Sequence, residues 1–213
     1  MFTRFITSCS ALFVVLASML QATPASAEAY LKCDGAAGTK TGPGGTSGWF
    51  VADSFSFGVE REMKESGEKG GTEDINIGVG ELQECTISKS LDAASATLSQ
   101  FAINGNSLGE CNICLTSGVD AKGAPICYLR YKLGRAFVKN WSASGGGAAA
   151  LPTEEVALYY NRIAFAYLVG DARDAKAQRS MSWDLVMQRP WPDGLNGIFD
   201  GLGSSLQNDE AQR

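Results

Sequence analysis

A mainly β domain, a small barrel or sandwich with one helix on its side, is the architecture this sequence predicts. Three observations predict it. Apolar and polar residues alternate in short runs along most of the chain, as they do in half-buried strands. The runs are separated by breaks rich in Gly, Pro, Asn and Asp, and Gly alone supplies 25 of the 213 residues. A single stretch, residues 90–104, has the spacing of an amphipathic helix.

In chain order, residues 1–27 stand apart. Arg4 lies in a short charged start, Ala11–Leu20 is an uncharged apolar run, and Ala25-Ser26-Ala27 supplies small residues for cleavage. This is the pattern of a Sec-type signal peptide. The apolar run is about half of the roughly 20 residues that a spanning helix needs, and Pro24 follows it, so no stable membrane anchor is expected. Cys9 precedes the run, which speaks against lipidation. The expected location is exported, either periplasmic or extracellular. Residues 28–191 are then read as one β domain, and 192–213 as a loosely attached C-terminal extension.

Within the domain, Phe55, Phe57 and Val59 fall on one face of a strand, and Ile75, Ile77 and Val79 on one face of another. Between them, Glu60–Asp74 is charged and contains Gly67, Gly70 and Gly71, so a long exposed loop with a job is expected there. In the helix, Leu91, Leu98, Phe101 and Ala102 form the apolar stripe, Ser90 or Asp92 caps the start, and Asn104-Gly105 ends it. Strands resume at Glu110–Thr116, Ile126–Leu133, Ala136–Ser142, Glu154–Leu168 and Met181–Met187. Val156–Leu168 is apolar on both faces, which places it mid-sheet or at a subunit contact. Gly145–Ala150 is a small-residue loop.

Composition narrows the chemistry. There is no histidine, which removes Ser-His-Asp and Cys-His hydrolases, His-ligated zinc enzymes and haem proteins. The formal charge is -5 and no segment concentrates Lys and Arg, so nucleic acid is not an expected partner. Gly42–Gly48 superficially resembles a phosphate loop, but a strand follows it where a helix is needed, and it is read as a turn. Glu60, Glu62, Glu154 and Glu155 are expected on solvated surfaces, with no pair converging on a cleft. Asn140-Trp141-Ser142 is a glycosylation sequon by pattern alone. No catalytic, cofactor or metal residues are expected.

Cysteines carry the rest. Cys33, Cys85, Cys111, Cys114 and Cys127 remain after the leader, an odd number that leaves at least one unpaired or bonded to another chain. Cys111 and Cys114 are spaced like a redox pair but lie in a strand pattern, where positions three apart point to opposite faces. If Gly118–Gly123 turns a hairpin, Cys114 lies nearly opposite Cys127 and can bond to it, leaving Cys111 to seek Cys85 or Cys33. The competing four-cysteine zinc site has only one close pair, where structural zinc sites usually have two.

Several ordered segments carry a family likeness. They are Tyr30-Leu31-Lys32-Cys33-Asp34-Gly35, then Gly48–Val59, then Ile87-Ser88-Lys89-Ser90-Leu91-Asp92 leading into the helix. Leu151–Leu158, the strand running to Tyr167, and Ser182-Trp183-Asp184-Leu185 follow. In this order and spacing the chain resembles the haemolysin-coregulated protein (Hcp) family, the tube component of type VI secretion systems, over about three quarters of its length. The resemblance implies a small β-barrel with a flanking helix that forms hexameric rings, stacks them into a tube, carries effectors in the lumen and meets spike and sheath components. It also gives the charged loop its job as a contact with a neighbouring subunit or ring, through Glu60, Arg61, Glu62, Lys64, Glu65, Gly67, Lys69, Gly70 and Gly71. The signal peptide and the five cysteines depart from the tube pattern. They motivate an alternative, a stand-alone Sec-exported ring or binding module independent of a type VI machine.

Overall fold

A computed structural model describes residues 27–65, 75–120, 122–147, 151–169 and 176–198. The elements are β1 (Ala29–Cys33), β2 (Phe50–Ala52), β3 (Ser54–Ser56), β4 (Val59–Glu65), β5 (Ile75–Leu82), β6 (Cys85–Ser90), α1 (Ser95–Asn104), β7 (Ser107–Val119), β8 (Pro125–Ser144), β9 (Thr153–Tyr159), β10 (Arg162–Val169) and β11 (Lys176–Asp184). Nine strands form one sheet along the path β2-β1-β7-β8-β9-β6-β3, with β10 pairing β8 and β11 pairing β10. The mainly β fold with one flanking helix is as expected. The hydrogen-bonded path does not close into a barrel; it folds over a core in the manner of a sandwich. Its two ends, β2 and β3, are consecutive pieces of one stretch of chain, paired with β1 and β6 respectively.

The sheet is organised by β8, a strand of 20 residues. A straight strand of that length overshoots a small core, and β8 turns a corner at Gly134-Arg135, where Arg135 takes a left-handed backbone with φ 57°. The two strands expected at Ile126–Leu133 and Ala136–Ser142 are therefore one strand, bent where the break was expected. Val156–Leu168 departs the other way. It is split at Tyr160-Asn161 into β9 and β10, both antiparallel to β8, with unchanged register between Gly134↔Arg162 and Phe137↔Tyr159. The second apolar face of β10 is covered by the chain itself, since Ala164 and Ala166 pack under Trp191 and Ile198. The extension beyond Trp191 is thus packed as far as Ile198, and its remaining residues lie outside those described.

The main core gathers Leu31, Phe50, Ile87, Leu98, Ile113, Leu133, Val156, Leu158 and Ile163, flanked by Phe55, Phe57, Tyr131 and Trp183. Tyr131 meets Phe57 edge-on at 4.7 Å between ring centroids, which joins β8 to the turn after β3. The helix begins at Ser95, later than expected, because Lys89 and Ser90 complete β6. Its start is held from outside, with the Ala94 N–H donating to Asp92 Oδ1 and the Asp92 N–H donating to Ser95 Oγ. Its end is the expected one: Gly105 takes φ 72° and its N–H returns to the Phe101 carbonyl. Leu98 is buried and contributes about 2 kcal/mol of apolar burial, while Leu91 lies before the helix and is exposed.

Glu154 corrects the expectation of a solvated acid. It is fully enclosed, accepting from Lys89 Nζ at 2.6 Å, Ser95 Oγ at 2.8 Å and Trp141 Nε1 at 2.7 Å. Lys89 is equally buried, bridges to Asp92 at 2.9 Å and lies over the Phe50 ring. This cluster ties α1, β6, β8 and β9 together.

A second ion pair closes the turn after β11. Arg162 Nε donates to Asp184 Oδ2 at 2.6 Å, and the N–H groups of Val186 and Met187 donate to Asp184 Oδ1. Burial opposes ionisation of Asp184, but the Met187 N–H, the Arg162 guanidinium and the Val186 N–H outweigh it and lower its pKa. A carboxyl lowered in the folded state stabilises above its unfolded pKa and loses that contribution as pH falls through its folded pKa. Asp184→Asn is therefore expected to lower the melting temperature fully at neutral pH, with the gap to the unmodified chain closing below pH about 4. Melting curves across acid pH check this.

Four cysteines form two disulfides, Cys33–Cys111 and Cys114–Cys127, and Cys85 is a buried free thiol. Cys111 faces the main core and Cys114 a second cluster with Tyr30 and Trp49, so the two sulfurs of the C-x-x-C diverge across β7. Of the competing zinc set, Cys85, Cys111, Cys114 and Cys127, all but Cys85 are thereby used in disulfides. Together the bridges staple β1 to β7 and β7 to β8.

Candidate assembly surface

Of the stretch expected as a loop, residues 60–65 are instead one strand of a ribbon, and residues 66–74 lie outside those described. β4 and β5 pair only with each other, as a separate two-stranded sheet, from Val59↔Leu82 to Glu65↔Ile75. Alternation marks β5 through Ile75, Ile77 and Val79, but the charged residues of β4 hide its partner strand. At its middle the register slips between Arg61 and Met63, so that Gly78 and Val79 both face Glu62. Gly78 is required there: a Cβ would come within 2.9 Å of the Glu62 carbonyl oxygen.

Of the expected contact residues, Glu60, Arg61 and Glu62 are exposed on β4. Glu60 Oε2 accepts from Gln83 Nε2 at 2.6 Å, and Arg61 Nη1 donates to the Gly78 carbonyl at 3.0 Å, so both brace the stem. Lys64 and Glu65 pair through their backbones with Asn76 and Ile75. Gly67, Lys69, Gly70 and Gly71 lie outside the described residues. The ribbon also presents apolar side chains: Val59 and Val79, expected on half-buried strand faces, are 65% and 62% exposed, and Met63 is 64% exposed. An isolated two-stranded ribbon is marginal in water, and one carrying exposed apolar side chains is built to be covered.

A family model described as "Type VI secretion system effector, Hcp" matches residues 30–167. The chain belongs to the Hcp family of type VI secretion. Solved structures agree on the fold. One described as "Structure of a type six secretion system protein" superposes with a TM-score of 0.64 at 20% identity, covering 78% of this chain and all of that one. Hcp1 from Salmonella typhimurium gives 0.58 at 18% identity over 78% of this chain and 99% of its own. The secreted protein Hcp3 from Pseudomonas aeruginosa gives 0.51 at 17% identity over 75% and 98%. No curated protein matches the sequence. The Hcp fold is thus present whole in this chain. Among its described residues no helix is long and apolar enough to cross a membrane.

Proposed function

We propose that this Hcp-family chain is a non-enzymatic structural component of type VI secretion type, assembling as hexameric rings that stack into a tube and hold effector proteins in the lumen. Its partners are further copies of itself, with spike and sheath components beyond them. The observation that carries the reading is the β4–β5 ribbon, which leaves the main sheet and exposes Val59, Met63 and Val79. The ribbon reaches a neighbouring subunit or ring, where these side chains are covered and Glu60, Arg61 and Glu62 set the register. Residues 1–27 direct export and are removed, and the disulfides form outside the cytoplasm.

Met63→Glu tests the arm. Because Met63 is exposed, the substitution is expected to leave the melting temperature within about a degree or two of the unmodified chain. At a buried contact it places a charge against apolar surface and is expected to weaken assembly about tenfold or more. Mass photometry of both proteins over a dilution series reads the result. Assembly that is unaltered by the substitution removes the arm from the interface.

A further inference from the structure

Across the sheet from the main core, a concave surface of about 490 Å³ lies between the Pro43–Gly45 turn and the segment that ends in Ile198. Its floor is set by strand register. Lys32 pairs with Asn112 and Asn112 with Lys132, so these side chains share one row on the face opposite Leu31 and Ile113. Arg130 follows two positions along the same face of β8. The row spans two strand spacings, about 10 Å, with an amide in the middle and an ammonium at each side.

Among the described residues, Lys32, Arg130 and Lys132 line the surface with one carboxylate, Glu110. Lys132 is only 7% exposed and Arg130 only 6%, which keeps their field poorly screened by water. Part of their bonding holds the site together: Lys132 Nζ meets Glu110 Oε1 at 3.1 Å and the Asn196 carbonyl at 2.7 Å, and Arg130 Nη1 donates to the Gly197 carbonyl at 2.9 Å. Lys32 Nζ donates to the Ser47 carbonyl at 3.0 Å and lies 6.0 Å from the Trp49 ring, and among the described residues no carboxylate pairs with it. A lysine carries three N–H donors, so Lys32 and Lys132 each retain capacity toward the groove, and the second N–H of the Asn112 amide lies between them. The wall is apolar where Trp49 and Pro43 line it. Trp49 is fixed by Thr46 Oγ1 on its Nε1 at 2.9 Å and by packing with Tyr30 and the Cys114–Cys127 bridge.

We infer that this groove is a binding site for a small organic monoanion, its carboxylate held between Lys32 and Lys132 over the Asn112 amide and its apolar body against Trp49 and Pro43. A single negative charge suits the floor, since Glu110 on the same strand opposes a second one. An aryl carboxylate is the simplest ligand with both halves. None of the lining residues lies on the ribbon.

The experiment uses protein purified from the periplasm of cells expressing the full chain, so that the Cys114–Cys127 bridge behind Trp49 is formed. Benzoate and its neutral isostere benzamide are titrated by isothermal calorimetry at low and high salt. Saturable benzoate binding that weakens with salt, with benzamide at least about tenfold weaker, is the expected result. Lys32→Gln is expected to weaken benzoate about tenfold, and Asn112→Asp, which changes charge and not size, to abolish it. Melting curves confirm that both variants fold; Lys32 and Asn112 are partly exposed, so little loss is expected. Equal binding of benzamide, unaltered binding by folded Lys32→Gln or Asn112→Asp, or no saturable benzoate binding overturns the proposal.

Discussion

Glu154→Ala is expected to destabilise the domain by about 3–5 kcal/mol, the cost of leaving a buried charge without its partner. The removed carboxylate serves three donors on three elements, and its loss strands Lys89, which has no access to water. Asp92 is the other carboxylate within reach of Lys89, and it is needed at the start of the helix through its bond from the Ala94 N–H. A double variant, Lys89→Met with Glu154→Leu, removes both charges and is expected to lose less than Glu154→Ala alone. Urea unfolding of the three proteins measures this. A loss under about 1 kcal/mol for Glu154→Ala is the range of exposed ion pairs and contradicts the anchoring role.

Removing the Cys33–Cys111 bridge is expected to cost about 4.5 kcal/mol, and removing Cys114–Cys127 about 3 kcal/mol, because the first closes a span of 78 residues and the second one of 13. Loop-closure entropy rises slowly with length, so a sixfold longer span adds only about 1.5 kcal/mol. Paired alanine variants, Cys33→Ala with Cys111→Ala and Cys114→Ala with Cys127→Ala, place both values on one urea scale. Cys85 does not compete for partners in the folded protein, since burial pushes its thiol up to about 12 and keeps it from the reactive thiolate form. With both bridges on β7, a reducing agent is expected to lower the unfolding midpoint by more than either paired variant does. Equal midpoints with and without reductant contradict a stapled sheet.

How much of this the sequence disclosed depended on whether a residue's environment is local. The strand faces of β7, the stop at Gly105 and the divergence of Cys111 from Cys114 follow from two-residue and helical periodicity, which neighbouring residues impose. In the sequence Glu154 looks solvated because its partner Lys89 lies 65 residues away and meets it only through the β6–β9 register. Residues 60–65 read as loop because Glu60, Arg61, Glu62, Lys64 and Glu65 erase any apolar alternation, whereas Ile75, Ile77 and Val79 display it on β5. The break between β9 and β10 falls at Tyr160-Asn161, without glycine or proline, and is dictated by the corner in the partner strand at Arg135. The cationic groove is invisible in the sequence for a similar reason. Lys32, Asn112 and Lys132 are far apart in the chain and become neighbours only when three strands pair.

The assembly reading rests most directly on mass. Sedimentation velocity of the exported, disulfide-bonded protein at high concentration is predicted to give a species six times the mass of one chain, accompanied by stacked, heavier forms. A species that sediments as one chain at every concentration contradicts it.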